Sequence, residues 1–243
     1  MSFPQTIMGK PGWEKVTSTS QKHKLGTPMQ IGERMFRYAS TGEAITVGKL
    51  VMGKAGTAAH QVDLAVEAAS AGGTTVTLSG SLSIAKNLYK DGYLIFNDVG
   101  EEGHFYKVKG NTLVSSATGC VVTIDEEDGL VTAIAATQQV GLYENPYKAV
   151  EVHDGSDIDH APLGWSCGDI ASGSYGWLLS QGFTSALVDG TPAPGVPLIA
   201  SNGVDGAVEV YDEDGSVNLS PVGYMGPIAG VAGEYGLIKA NIE

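Results

Sequence analysis

The pentapeptide Gly164-Trp165-Ser166-Cys167-Gly168 has the Gly-x-Ser-x-Gly spacing with which hydrolases present a serine nucleophile on a strand-to-helix turn. That chemistry needs a helix after the serine. Asp169-Ile170-Ala171-Ser172-Gly173 follows instead, with glycine and serine where a helix would grow, so the glycines read as turn residues and Ser166 as non-catalytic. His153, His160 and Cys167 recur every seven residues beside Asp154, Asp157 and Asp159, a donor set that could bind zinc or a harder cation. Zinc motifs bring two ligands onto one turn, and the only close donors here are carboxylates, so solvated loop acids are the better reading. The acidic turns Asp125-Glu126-Glu127-Asp128-Gly129 and Asp212-Glu213-Asp214-Gly215 do not follow the calcium-loop template and read as exposed β-turns.

Other chemistry finds no support. Neither a phosphate-binding Gly-x-x-x-x-Gly-Lys-Ser/Thr loop nor a Gly-x-Gly-x-x-Gly fingerprint occurs, and nothing nominates one carboxylate pair among the 27 acids. No cofactor and no enzymatic activity are expected. The sequon Asn218-Leu219-Ser220 is followed by Pro221. Cys120 and Cys167 are the only cysteines, too few for a disulfide framework, and both read as reduced and buried.

The elements that position these residues must come from a chain of 243 residues with 34 glycines, 17% charged and 7% aromatic residues, a composition that disfavours regular helix. An all-β protein rich in turns follows. The net charge of −13 argues against nucleic acid as a partner, since phosphate repels such a surface. No apolar leader is visible at Met1–Lys10 and no stretch approaches the ~18 to 20 apolar residues of a spanning helix, so a cytosolic product without a membrane partner is expected. Charge is unevenly spread. Residues 1–54 carry eight Lys or Arg against three acids, residues 55–148 five against eleven, and residues 149–238 twelve acids and no Lys or Arg. Such polarity lets a basic end meet an acidic partner or a neighbouring copy.

Residues 1–31, with Pro4, Gly9, Pro11, Gly12, Gly26 and Pro28, read as an extended basic arm, mobile alone and ordered only against a partner or the chain's own body, with Trp13 as its anchor. A first β domain is expected over 32–152, with strands suggested at Gln61–Val66, Thr74–Leu78, Tyr93–Asn97, His104–Lys109, Cys120–Ile124, Leu130–Ala135, Gln139–Tyr143 and Lys148–Val152. Strands about ten residues apart between turn signals suggest a sandwich or barrel. One short helix is predicted over Ser83–Lys90, stopped by Asp91-Gly92. A second, acidic Gly/Pro-rich β domain is expected over 153–243, with strands at Phe183–Val188 and Ala207–Tyr211. Within it Pro162-Leu163-Gly164-Trp165 and Gly173-Ser174-Tyr175-Gly176-Trp177-Leu178 are echoed 59 and 60 residues later by Pro221-Val222-Gly223-Tyr224 and Gly233-Glu234-Tyr235-Gly236-Leu237-Ile238. A duplicated hairpin would produce this echo.

Phe36-Arg37-Tyr38, Tyr89-Lys90-Asp91-Gly92-Tyr93-Leu94-Ile95-Phe96-Asn97-Asp98, Gly100-Glu101-Glu102-Gly103-His104-Phe105-Tyr106-Lys107-Val108, Asn145-Pro146-Tyr147 and Tyr175-Gly176-Trp177-Leu178-Leu179-Ser180-Gln181-Gly182 resemble a family of tailed-bacteriophage head proteins encoded beside the major capsid protein. The likeness runs from about Gly32 to the C-terminus. It implies an all-β capsid decoration, or cementing, protein on the outer face of the shell, with the major capsid protein as partner and a homotrimer as the favoured assembly. The arm, with Lys10, Trp13, Lys15, Lys22 and Lys24, is then the expected capsid contact. A receptor- or carbohydrate-binding head fibre is the alternative, with Trp165, Trp177, Tyr211 or Tyr224 as the platform.

Overall fold

The computed structural model describes residues 6–98, 101–117, 119–136, 138–154, 160–211 and 220–243. Asp157, Asp159, the turn Asp212–Gly215 and most of the sequon at 218–220 lie outside the described residues. The chain is nearly all β, as its composition predicts. In chain order the strands begin with β1 (Ile7–Met8), β2 (Pro28–Ile31), β3 (Arg34–Ser40) and β4 (Leu50–Met52). Then come β5 (Leu64–Ala65), β6 (Thr75–Leu78), β7 (Leu82–Ile84), β8 (Tyr93–Phe96), β9 (Phe105–Asn111), β10 (Val114–Ala117), β11 (Cys120–Ile124) and β12 (Gln139–Tyr143). The last seven are β13 (Glu151–Val152), β14 (Pro162–Ser166), β15 (Tyr175–Val188), β16 (Pro197–Ala200), β17 (Ala207–Val210), β18 (Gly223–Met225) and β19 (Tyr235–Asn241).

The chain divides into two compact units, and the division corrects the expected boundaries at 31/32 and 152/153. Unit 1 is Met1–Lys54 with Pro146–Glu243, and unit 2 is Ala55–Asn145. The small-residue texture after Val152 is a change of composition within unit 1, because β13 and β14 both pair with β4.

Unit 2 is a small barrel built by period-2 alternation. In β11, Cys120, Val122 and Ile124 are buried while Val121 and Thr123 are half-buried, and β8 buries Leu94 and Phe96 in the same way. The order β5-β12-β8-β9-β11-β6 closes through the bridge Val66↔Leu78. The helix expected over Ser83–Lys90 does not form. Ile84 ends β7, and Asn87 (φ 58°) and Asp91 (φ 63°) are left-handed, a conformation a helix interior excludes. The described residues contain only two three-residue 3-10 turns, Trp13–Lys15 and Ala58–His60. Leu130–Ala135 is likewise no strand. It makes the single bridge Ile134↔Ala69 and is entered through Gly129 (φ 69°), where a Cβ would lie 2.3 Å from the Gly72 carbonyl oxygen.

Unit 1 is a tandem duplication far larger than the sequence echo. In the first copy β3 pairs with the first half of β15, which pairs with β14, then β4, then β13; the parallel bridge Thr41↔Val150 returns to the end of β3. In the second copy the second half of β15 pairs with β19, then β18, β16 and β17, and β17 closes onto β15 in parallel at Val188↔Val208. The registers correspond pair by pair. Ser40↔Tyr175 matches Leu187↔Tyr235, Trp165↔Leu179 matches Tyr224↔Lys239, Trp165↔Leu50 matches Tyr224↔Pro197, and Glu151↔Met52 matches Glu209↔Ile199. The same carbonyl seals both hairpins: a Cβ on Gly164 (φ 149°) would lie 2.5 Å from the Leu179 oxygen, and one on Gly223 would lie 2.4 Å from the Lys239 oxygen. Each copy is thus a five-stranded barrel, and β15 belongs to both. The first barrel is filled by Ala39, Ile45, Val51, Val150, Ile170 and Leu178. Ala186, Val188, Leu198, Val208, Met225 and Ile238 line the second.

Unit 2 occupies one hairpin of this repeat. Between β4 and β13 the first copy inserts Ala55–Asn145, where the second joins β16 to β17 through residues 201–206. Replacing 55–145 by the 201–206 turn should therefore leave a β protein that unfolds cooperatively, read by circular dichroism against temperature. Gly164→Ala and Gly223→Ala should each lower stability by about 2–3 kcal/mol, measured by denaturant titration, because each Cβ meets a ladder carbonyl.

Candidate functional site

From residue 6 onward the arm is ordered against unit 1, and its anchor is corrected from Trp13, which is 44% exposed, to Leu25, Met29 and Ile31. Leu25, Met29 and Ile31 are large apolar residues, and each gains about 1.5–3 kcal/mol by burial, enough to offset the ordering of a short segment. They pack with Phe36, Tyr38, Trp165, Trp177 and Leu179 on the outer face of the first barrel. β2 completes the edge of β3 in the register Met29↔Phe36, and β1 lies parallel to β2. The isolated prolines and glycines of this stretch concealed β2, because only Met29, Gln30 and Ile31 follow Pro28 before Gly32.

Between β1 and β2 the chain makes the 3-10 turn Trp13–Lys15, entered through Gly12 in the left-handed region (φ 98°). Glu14 turns inward. Its side chain is 7% exposed, accepts the Gly12 N–H at 2.7 Å and meets Arg34 Nη2 at 3.4 Å. Burial raises its pKa, but the backbone hydrogen bonds and the Arg34 guanidinium outweigh this and hold the carboxyl below its ordinary value. With Glu14 inside, Trp13 stands 44% exposed between the exposed Lys10 and Lys15, and the Trp13 N–H donates to the Lys10 carbonyl at 3.0 Å. Three of the five expected contact residues are thus gathered on one pinned turn. Beside it a groove of about 510 Å³ runs between Gly9 and Pro11 of the arm, the Gly32-Glu33-Arg34 turn and Phe183.

Lys22 and Lys24 belong to a separate stretch. The bridge Ser18↔Tyr175 and the Lys22 N–H, which donates to the Tyr38 hydroxyl at 3.1 Å, tie it to the barrel. His23 lies edge-on to Tyr38, ring centroids 5.1 Å apart, and 5.4 Å from Trp177. Both lysines are exposed beside this aromatic group.

The chemistry-bearing patterns are distributed differently. Ser166 ends β14 fully buried and donates to the Thr46 carbonyl at 2.7 Å. Cys167 packs against the unit 1 core and burial pushes its thiol up to about 11; Cys120 is buried in unit 2, where burial also raises its thiol, and both are free. His153 is buried while His160 is half-buried, and no cluster of three or more His, Cys, Asp or Glu placed to hold a metal occurs among the described residues. Of the four candidate platform aromatics, Trp165 and Trp177 are buried, Tyr211 is half-buried and Tyr224 is exposed.

One titratable constellation escaped the sequence. In unit 2 the Glu101 carboxylate, 1% exposed, accepts from the Tyr106 hydroxyl at 2.8 Å, the Thr132 hydroxyl at 2.7 Å and the Thr132 N–H, and its Oε2 lies 2.5 Å from His104 Nδ1. Burial raises its pKa, but the Thr132, Tyr106 and His104 hydrogen bonds more than compensate, so the carboxyl sits below its ordinary value. The Tyr106 hydroxyl in turn accepts the Val131 N–H at 3.0 Å. The buried carboxylate therefore ties residues 131–132 to the β8–β9 hairpin and orients a half-exposed imidazole. Nothing in Glu101-Glu102-Gly103-His104 marks the first Glu as buried, since its partner Thr132 comes from 31 residues on.

Comparison with protein-family models, with curated proteins and with solved structures returned no match. Among the described residues no helix is long and apolar enough to cross a membrane.

A carboxyl held below its ordinary pKa stabilises the fold above its unfolded pKa, and that contribution is lost as pH falls through the folded value. Unit 2 should therefore lose stability on acidification below about pH 4, and Glu101→Gln should flatten that loss while costing about 1–3 kcal/mol at neutral pH. Thermal unfolding across pH, followed through unit 2 resonances, reads both.

Proposed function

We propose that this chain is a non-enzymatic virion structural protein that binds the outer face of a tailed-phage capsid as a decoration, or cementing, protein, held partly through its N-terminal arm. The observation that carries the reading is the pinned turn. Lys10, Trp13 and Lys15 are presented to solvent by a segment whose conformation is set by the inward Glu14, on a chain whose overall net charge is −13. A cationic and aromatic turn whose backbone is already held in place suits attachment to an acidic protein surface, because the segment's backbone does not have to be ordered on binding. Repetition over symmetry-related sites converts such small contacts into stable coverage. Lys22 and Lys24 add a second positive stretch to the same segment, and the major capsid protein is the partner this reading names. The residues resembling phage head proteins support it independently, since they run through both units.

A receptor- or carbohydrate-binding head fibre is the weaker reading, because only Tyr224 of its four aromatics is exposed. The test is co-sedimentation with phage shells lacking the protein, titrated to saturation at low and moderate salt. Removal of residues 2–31 is unsuitable, since it strips β2 and Met29 from the first barrel. Lys10→Glu with Lys15→Glu, and Trp13→Ala separately, keep those elements. Wild type should bind saturably at a fixed ratio and weaken with salt, and each variant should bind at least about tenfold more weakly. Unchanged binding by both variants removes the arm from the contact; no binding by the wild type at any salt removes decoration itself.

A further inference from the structure

The Glu101 network of unit 2 leaves one of its members facing outward. Glu101 and His104 are the two ends of the turn that closes the β8–β9 hairpin, where the His104 N–H donates to the Glu101 carbonyl at 2.9 Å. Gly103, third in that turn, takes φ 83°, which brings both side chains to one end of the barrel. The Gly103 N–H donates to the Phe96 carbonyl and the Phe96 N–H to the His104 carbonyl, each at 3.0 Å. The backbone that carries the imidazole is therefore set before any other molecule arrives.

The tautomer of the ring is set as well. Four donors converge on the buried carboxylate: the Thr132 N–H and hydroxyl on Oε1, and the Tyr106 hydroxyl and His104 Nδ1 on Oε2. The hydrogen bonds hold Glu101 ionised, and an ionised carboxylate only accepts, so Nδ1 of the neutral ring carries the proton and Nε2 the lone pair. The ring is 45% exposed, and among the described residues it has no other hydrogen-bond partner. An imidazole held in this way is a base and a nucleophile. As Nε2 bonds to an electrophile the ring turns cationic, and the carboxylate behind Nδ1 stabilises that charge.

We propose that His104 is a site of covalent modification, at which Nε2 takes an acyl group from an activated acyl donor and Glu101 acts as the positioning residue. In that step Nε2 bonds to the carbonyl carbon and the bond from that carbon to the leaving group breaks. The leaving group departs with the electron pair as its anion, and the positive charge gained by the ring is paired with Glu101. Charge selects acyl over phosphoryl transfer. An acyl group adds no negative charge beside Glu101 and the exposed Glu102, whereas a phosphoryl group adds about two. The proposal does not rest on capsid binding or on the arm.

Diethyl pyrocarbonate, an activated acyl donor, tests it on the full chain at neutral pH, with modification of each histidine followed by peptide mass spectrometry. His104 should react at least about fivefold faster than free N-acetylhistidine, and Glu101→Gln should remove that excess. Thr132→Val loosens the same clasp but leaves the carboxylate against the ring, so it should stay within about twofold of wild type. Long-range 1H–15N correlation of the imidazole supplies the second readout, with the proton on Nδ1 in wild type and Thr132→Val and a tautomer mixture in Glu101→Gln. A wild-type His104 no faster than N-acetylhistidine overturns the proposal, as does a proton on Nε2. Equal slowing in both variants shows that the ring senses only the fold of the clasp, and overturns it too.

Discussion

A single strand carries the architecture of unit 1. β15 runs 14 residues from Tyr175 to Val188, closing the first barrel with its first half and opening the second with its other half. The hand-over requires a change of facing. Leu178 points into the first barrel, between Trp177 and Leu179 on its outer face. That alternation is interrupted where the β3 register shifts between Leu179 and Gln181 and where Gly182 adopts φ 107°, and beyond it Ala186 and Val188 point into the second barrel. Both barrels are therefore built from one continuous ladder, and neither can be removed without exposing an edge of the other.

The copies diverged in what covers and what interrupts them. The first copy accepted the whole of unit 2 between β4 and β13, which hairpin geometry tolerates because the ends of that loop are already brought together by pairing of Met52 with Glu151. It also gained an arm over its aromatic face. The second kept a short turn at 201–206, and at the equivalent positions Phe183, Tyr224, Tyr235 and Leu237 are about half exposed. The core of unit 2 is sealed by its own strands and by the Glu101 network.

Two buried carboxylates set local geometry in the same manner. Glu14 and Glu101 are each drawn inward by hydrogen bonds and a nearby cationic or imidazole partner, and each fixes a loop whose remaining side chains face water. For Glu14 the result is the presentation of Trp13 and Lys15. The cost of burying Glu14 is offset first by backbone donors and then by Arg34, and that of Glu101 chiefly by the Thr132 and Tyr106 hydroxyls.

Glycine abundance and short alternating runs determined the all-β character, and β11 and β12 were legible to the residue because Cys120–Ile124 and Gln139–Tyr143 lie between turn signals. The hairpin echo was legible for a similar reason: Gly164 and Gly223 must both lack a Cβ against a ladder carbonyl, so the same residue recurs at both places. The rest of the repeat was not. β3 and β4 match β15 and β16 at positions 147 apart, β13 matches β17 at 58, and the inserted unit breaks the common offset. At most of those positions only apolar character is required, which many residues satisfy. The grouping of Lys10, Trp13 and Lys15 by the inward Glu14, the burial of Trp165 and Trp177, and the partial exposure of Phe183 and Tyr235 were decided by tertiary structure alone, because each depends on which distant strand or arm packs against it.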